Sequence, residues 1–142
     1  MLYFDVSFLV PLFLQEQTST RVERAFAKLA GRSLAISHWT RVEFSSLLAR
    51  EVRMSGLAAD AAHEVDAEFE TVASASLLVQ LPGADDFALA KEYLARHRSG
   101  LRGGNALHLA IARNHGSERI YSLDNTLLKA GQVLGLPVVR GL

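Results

Sequence analysis

The chain has 142 residues, a length that suits one domain, residues 1–142, with a hydrophobic core of its own. Hydrophobic residues make up 49% and charged residues 21%, which is typical of globular proteins and excludes a disordered chain. Lys plus Arg and Asp plus Glu both number 15, so any nucleic-acid binding must come from a local basic patch. The absence of cysteine excludes disulfides, zinc–thiolate sites and thiol nucleophiles.

Nothing in the sequence predicts export or insertion into a membrane. The N-terminus lacks the basic region and the small-residue cleavage site of a signal peptide. No apolar run reaches the roughly 20 residues that span a bilayer. The lack of cysteine fits a reducing compartment. We therefore expect a soluble, cytoplasmic protein without membrane contacts.

Short apolar runs alternate with amphipathic stretches along the whole chain. The first run leads straight into Asp5, which is typical of a strand that is buried on both faces. Pro11 is tolerable only near the start of the helix that follows. The predicted strands cover 2–5, 34–37, 77–81, 119–124 and 137–139, and the predicted helices cover 6–14, 18–29, 38–53, 58–72, 85–98, 105–115 and 126–134, with a glycine-rich loop at 99–104. This alternation predicts an α/β protein with a parallel sheet of about five strands flanked by helices.

Two of the predicted strands end in an aspartate, Asp5 and Asp124. Ligand-binding groups collect at the carboxyl ends of parallel strands where the strand order reverses, so the two acids are neighbours if the reversal lies beside the first strand. Converging carboxylates repel each other unless a cation or protons neutralise them. Mg²⁺, which takes one or two carboxylates and keeps several waters, is the usual solution. Asp5 has a second interpretation, as the N-cap of a helix that starts near Ser7.

Two more polar residues are candidates for the same site. Glu43 lies one turn into the third helix between apolar positions, and Val42 and Leu47 suggest that this face of the helix looks inward. Otherwise Glu43 is a surface acid paired with Arg41 or Arg50, since charged residues are rarely buried unless they are paired. Asn105 begins the helix behind the glycine-rich loop and is either a site residue or an N-cap.

Four segments together resemble the PIN domain family, and within it the small ribonuclease toxins of the VapC type. They are LYFDVSFLV (2–10), TRVEF (40–44), LRGGNALHLA (101–110) and IYSLDNTL (120–127). In this order they are similar to the family's opening strand-Asp-x-Ser/Thr motif, the helix with the second acid, the loop-helix segment and the strand that ends in the last acid. The match extends over nearly the whole chain.

The resemblance implies a three-layer fold and a ribonuclease that depends on Mg²⁺ or Mn²⁺. It implies acidic site positions at Asp5, Glu43 and Asp124, with Ser7 as the hydroxyl that supports a ligand carboxylate. Asp5, Asp124 and Asn105 would hold the metal, while Glu43 would orient a metal-bound water or hold a second ion. The resemblance further implies an RNA substrate, a VapB-type antitoxin that covers the active site, and a homodimer.

Asn105 departs from the family pattern, which has an aspartate in a run reading Gly-Asp-Ala-Leu-His. An amide offers a carbonyl oxygen to a hard cation but no charge, and it cannot act as a base. One unit charge a few Å from a divalent ion is worth roughly a few kcal/mol at an effective dielectric near 20, so attenuated activity is one expectation. An active natural variant, a natural variant with lost or altered activity, and a substitution introduced to produce a toxic protein safely all fit the sequence.

Five other residues near these motifs have ordinary structural interpretations. Arg41 and Arg102 are either contacts to RNA phosphates or solvated arginines. His108 is a packed, hydrogen-bonded histidine or else a metal ligand or base, and Trp39 is a core or interface residue or else a stacking platform for RNA. Asn125 is interpreted as a cap of the last helix.

Two other functions compete with the metal-dependent ribonuclease. A catalytically inactive PIN-fold module that binds RNA or protein is favoured by Asn105 and disfavoured by the retained acids Asp5, Glu43 and Asp124. A phosphotransfer enzyme with Asp5 as its nucleophile is disfavoured, because Asp5-Val6-Ser7 lacks a second acid two residues on.

Overall fold

The computed structural model of the protein describes all 142 residues. The five strands are separated from one another by one or two helices, seven in all, with a short 3-10 helix (His97–Ser99) between the fifth and sixth helices. In chain order they are β1 (Leu2–Phe4), α1 (Val6–Phe13), α2 (Ser19–Ala27), β2 (Leu34–Ser37), α3 (His38–Arg53), α4 (Ala59–Ser76), β3 (Leu78–Gln80), α5 (Ala84–Ala95), α6 (Gly103–Asn114), β4 (Arg119–Tyr121), α7 (Asn125–Val133) and β5 (Val138–Val139). None of these helices combines the length and the apolar character needed to cross a membrane.

All strands run parallel, in the order β3-β2-β1-β4-β5. The chain moves outward from β1 to β2 and β3, and then crosses back to place β4 on the other side of β1. Phe4 pairs with Tyr121 at the last position of both strands, so the carboxyl ends of β1 and β4 lie side by side. The strand order therefore reverses beside the first strand, as the prediction for Asp5 and Asp124 requires.

The sheet is buried on both faces, which gives the fold three layers. Along β1, Leu2 and Phe4 join the core beneath α1, α3 and α4, whereas Tyr3 joins the core beneath α5, α6 and α7. Ile120 and Tyr121 of β4 divide between the same two cores. Alternation of side chains along a strand thus supplies apolar residues to both faces, and the predicted parallel α/β sheet with helices on both sides is confirmed.

The predicted bounds hold for β2 and α3 and shift by a few residues elsewhere. The fourth helix continues to Ser76 instead of 72, and α5 ends at Ala95 instead of 98 because Arg96 leaves helical geometry with φ −83° and ψ 75°. The sixth helix begins at Gly103, inside the predicted loop. Pro11 is the sixth of the eight residues of α1, so the expectation that it must lie near the helix start is wrong; the helix simply ends two residues later.

Candidate functional site

Asp5 follows β1 directly and is only 1% exposed. Its Oδ1 accepts hydrogen bonds from the Ser7 hydroxyl at 2.7 Å and the Phe8 N–H at 3.2 Å, and its Oδ2 accepts one from the Ser122 hydroxyl at 2.8 Å. Burial raises the pKa of the Asp5 carboxyl above its usual value, against the opposing effects of nearby His108 and the two hydroxyls. Asp5 is therefore both the N-cap of α1 and a carboxylate at the strand end.

Two serine hydroxyls connect Asp5 to the segment after β4. The Leu123 N–H donates to Ser7 Oγ at 2.8 Å, and the Asp124 N–H donates to Ser122 Oγ at 3.0 Å. Ser7 thus lies beside the Asp5 carboxylate, as its predicted role of supporting that carboxylate requires. Ser122, which holds the other oxygen of Asp5, is a candidate site residue that the sequence did not predict. Its one signal is a small hydroxyl residue two positions before a strand-end acid, the mirror of Ser7 two positions after Asp5.

Asp124 and Asn105 meet beside this cluster. Asp124 Oδ1 accepts the N–H groups of Thr126 at 2.7 Å and Leu127 at 3.3 Å, and so caps α7. Its Oδ2 accepts a hydrogen bond from the side-chain amide of Asn105 at 3.1 Å. Asp124 therefore binds the start of α7 through one oxygen and the Asn105 amide through the other.

Two predicted caps are wrong for the same reason. Asn105 is the third residue of α6, which begins at Gly103, so its side chain is free to reach Asp124 instead of capping its own helix. Asn125 is the first residue of α7, and the capping side chain belongs to Asp124. In both cases the helix starts earlier than the sequence pattern suggested, which moves the asparagine inside it.

Glu43 of α3 belongs to a hydrogen-bond chain that runs through α6 to β1 and β2. Its carboxylate contacts His108 Nε2, His108 Nδ1 lies 2.7 Å from the Tyr3 hydroxyl, and that hydroxyl lies 3.0 Å from Ser37 Oγ. His108 and Tyr3 are fully buried, and burial raises the pKa of the Tyr3 phenol. Because an ionised carboxylate only accepts, Nε2 must carry the proton that Glu43 shares. His108 is therefore a packed, hydrogen-bonded histidine, which is the first of its two predicted interpretations.

The alternative pairing of Glu43 with Arg41 or Arg50 is wrong. Arg41 Nε instead donates to both carboxylate oxygens of Glu70 on α4, at 2.9 and 3.0 Å. The inward-facing interpretation of Val42 is also wrong, since Val42 is 58% exposed. Glu43 itself turns inward because α6 presents a histidine to it, a contact that no neighbour in α3 reveals.

A glycine makes room for Glu43. A Cβ atom at Gly104 would lie 2.7 Å from Glu43 Oε1 and 3.3 Å from the ring of Trp39. The absence of a side chain therefore lets the start of α6 approach both residues closely. Trp39 packs against the core beneath α5, α6 and α7, and its buried indole N–H has no hydrogen-bond partner. Trp39 is thus a packing residue in this structure.

The predicted phosphate contacts of Arg102 and Arg41 stay predictions. Arg102 is exposed at the N-cap position of α6 and forms no ion pair. Arg41 has its charge offset by Glu70. Of the two, Arg102 is the one whose guanidinium is available to an anionic ligand.

The donor set at the strand ends fits a magnesium-type ion. Two carboxylates, Asp5 and Asp124, and the side-chain amide of Asn105 are oxygen-bearing groups, which hard divalent cations prefer. Nowhere in the chain do three or more His, Asp or Glu side chains lie together in a way that could hold a metal ion. The site is therefore no all-protein cage, and an ion there would keep several waters, as Mg²⁺ ordinarily does.

Replacing His108 with alanine is expected to destabilise the protein by about 3 kcal/mol, because it opens a buried cavity and removes a partner from both Glu43 and Tyr3. Tyr3→Phe should cost about 1–2 kcal/mol, since it leaves Ser37 and His108 without the phenolic hydroxyl. Urea denaturation measures both. The control His63→Ala, at an exposed position of α4, should stay within about 0.5 kcal/mol of the parent. A loss below 0.5 kcal/mol for His108→Ala contradicts a structural role for the chain of hydrogen bonds.

The parallel sheet and the acidic and amide groups at its switch point define an α/β protein with a candidate ligand site at its strand ends. The sequence profile of the PIN domain matches residues 2–132. The chain therefore belongs to the PIN domain family. No curated protein sequence matches it closely enough to count as a relative.

Solved structures with the same fold include toxins and toxin complexes of the VapC group. VapC20 of Mycobacterium tuberculosis, described as a toxin that cleaves the sarcin-ricin loop, has a TM-score of 0.73 and 23% identity, over 92% of this chain and 95% of that chain. VapBC2 of Rickettsia felis, bound to a DNA fragment from its promoter, has a TM-score of 0.72 and 12% identity over 98% of both chains. VapBC-1 of nontypeable Haemophilus influenzae has a TM-score of 0.71 and 10% identity, over 99% of this chain and 98% of that chain. At these identities the likeness shows the fold.

Proposed function

We propose that the protein is a metal-dependent endoribonuclease of the VapC type, the toxin of a type II toxin–antitoxin pair that acts in the cytoplasm. The proposal rests on one observation in a chain of the PIN domain family. Where β1 and β4 end, hydrogen bonds link Asp5 to Asp124 through Ser122, and Asn105 donates to Asp124 directly. The similar fold of VapC20, a toxin that cleaves the sarcin-ricin loop, supports RNA as the substrate.

Asp5, Asp124 and Asn105 are the residues that would hold Mg²⁺ or Mn²⁺, which when bound polarises a phosphoryl oxygen and supplies a water-derived nucleophile. Ser7 and Ser122 fix the Asp5 carboxylate by donating to both of its oxygens. Glu43, held in place by His108, orients the attacking water toward the phosphodiester. The products of hydrolysis are two RNA fragments.

The proposed partners are a VapB-type antitoxin and a second copy of this chain. The solved VapBC complexes have the same toxin fold, which supports the antitoxin. An apolar groove of about 630 Å³ beside the site is lined in part by Trp39, Val42, Phe87, Gly104 and Leu107. Exposed apolar surfaces of this kind are typical of protein interaction sites. An antitoxin arginine or lysine that reached Glu43 or Asp5 would also offset the repulsion between carboxylates.

The test is RNA cleavage by the unmodified protein in Mn²⁺ or Mg²⁺, with EDTA as the control. We expect structured ribosomal RNA fragments to be cut at discrete positions and EDTA to stop the reaction. Cleavage that persists in EDTA contradicts the role of the metal. If neither the protein nor its Asn105→Asp variant cuts RNA in either metal, the ribonuclease proposal fails.

The second candidate function is a PIN-fold module that binds RNA or protein without cutting it. Asn105 favours it, because its amide already satisfies Asp124 in the absence of an ion. Calorimetric titration with Mn²⁺ separates the two functions. Micromolar to millimolar binding supports the enzyme, and an absence of binding supports the module.

A further inference from the structure

A groove between α2 and β4, here called the basic groove, lies apart from the candidate active site. It encloses about 360 Å³, and its charged lining consists of Arg21, Arg24, Lys28 and Arg119. Leu29, Tyr121 and the last two residues, Gly141 and Leu142, also line it, while no Asp or Glu side chain does. Four of the chain's 15 lysines and arginines are therefore gathered in one cavity of a protein with no net charge.

No acidic side chain offsets the charges of the basic groove. None of its four cations takes part in an ion pair. Glu118 precedes Arg119 but is bound by the N-terminal amine at 2.6 Å and by Arg32 at 2.8 Å. Glu23 is the one acid of α2, and at 3.6 residues per turn it lies about 100° or more around the helix axis from Arg21, Arg24 and Lys28. The three helix cations instead share one face, at spacings of three and four residues.

The basic groove and the candidate active site share β4. Tyr121, which lines the groove, immediately precedes Ser122, which donates to Asp5. Five residue steps separate Arg119 from Asp124, so their Cα atoms are at most about 18 Å apart. The site itself presents the carboxylates of Asp5 and Asp124, which repel phosphates. A strand of RNA that reaches the site therefore needs cations on a neighbouring surface to hold it.

We propose that the basic groove binds the phosphate backbone of the RNA strand beside the nucleotide that is cut. The inference rests on the proposed ribonuclease function and assigns it a second, sequence-independent contact region. Cations that neutralise phosphates release counterions, so binding weakens with salt by a slope of about −0.7 per contact for single strands.

The experiment is fluorescence anisotropy with a labelled 20-nucleotide single-stranded RNA, measured in EDTA so that no cleavage occurs. The test variant replaces Arg21, Arg24 and Lys28 with glutamine. The control variant replaces Arg50, Arg96 and Arg98, which are exposed, unpaired and outside the groove, with glutamine. Both variants lose three positive charges. Arg119→Gln, which leaves α2 untouched, is the single-site companion.

At 100 mM salt we expect the Kd of the test variant to rise at least about tenfold and the salt slope to fall by about 2, while the control changes less than threefold. Arg119→Gln should raise the Kd about threefold. Equal losses in both triple variants, or none in either, overturn the proposal. A test variant that still binds RNA but no longer binds polyglutamate also overturns the proposal, because the groove would then be a site for an acidic protein partner. Because no cleavage is measured, RNA binding through the groove can stand even if the unmodified protein proves unable to cut RNA.

Discussion

Asn105→Asp is expected to lower the stability of the metal-free protein and to raise its affinity for Mn²⁺. The Asn105 amide donates to Asp124 Oδ2 at 3.1 Å, and a carboxylate in its place would exchange that hydrogen bond for repulsion between like charges. We expect a loss of about 1–2 kcal/mol without metal, seen as a fall of several degrees in Tm. With metal the added charge is favourable, and we expect binding to tighten by at least about 30-fold, or ~2 kcal/mol.

The matched control for this substitution lies in the same helix. Asn114 Nδ2 donates to Asp86 Oδ1 at 2.9 Å, so Asn114→Asp creates the same kind of carboxylate pair away from the strand ends. It should lose stability without gaining RNA cleavage. Thermal unfolding with and without Mn²⁺, together with calorimetry, measures each quantity. If Asn105→Asp neither loses stability without metal nor gains affinity for metal, the Asn105 amide does not occupy the place of a cation beside Asp124.

Asp5→Asn is expected to reduce RNA cleavage by about 1,000-fold in whichever form of the protein cuts RNA, the unmodified chain or Asn105→Asp. A unit charge about 4 Å from a divalent ion is worth roughly 8 kcal/mol at an effective dielectric near 20, and half of this, ~4 kcal/mol, already corresponds to that factor in rate. Stability should change little. Because burial raises the pKa of Asp5 above its unfolded value, the ionised carboxylate opposes folding above that pKa, and a neutral amide removes this cost.

Asp86→Asn is the control for a buried, capping carboxylate outside the site. Asp86 is 3% exposed and accepts the Gly83 N–H at 2.8 Å at the start of α5, much as Asp5 accepts the Phe8 N–H. Its variant should keep cleavage within about threefold. Retention of more than a tenth of the activity in Asp5→Asn would falsify the assignment of Asp5 to the reaction. The measurements are initial cleavage rates at saturating Mn²⁺ and urea denaturation of each variant.

The positions of the strand-end acids could be predicted because they depend on local pattern and on topology. An apolar run before Asp5 or Asp124 marks a buried strand, and parallel strands bring their carboxyl ends to one edge. The prediction that the strand itself ends in Asp124 is wrong, because β4 ends at Tyr121 and Asp124 caps α7. The bounds of β2 and α3 could be predicted for a local reason too. Ser37 and Thr40 form a reciprocal cap at the point where the strand becomes a helix.

The side-chain partners could not be predicted, because they come from distant parts of the chain. Glu43 meets His108 across 65 residues, and Ser122 meets Asp5 across 117. No periodicity within a helix or strand carries that information. The exposed Val42 misled for the opposite reason: an apolar side chain in a helix is normally evidence for the core, whereas here it lines an open groove.

The pairing of β1 with β4 also has a consequence for the synthesis of the protein on the ribosome. Asp5 is made well before Asp124, and the backbone hydrogen bond from the Asp5 N–H to the Tyr121 carbonyl can form only after β4 has been synthesised. Chains grow from the N-terminus at about 5–20 residues per second, so Asp5 waits several seconds for its partners. A nascent or prematurely terminated chain that ends before β4 therefore carries isolated acids without the arrangement that brings them together. The topology therefore delays the appearance of the site until β4 has been synthesised.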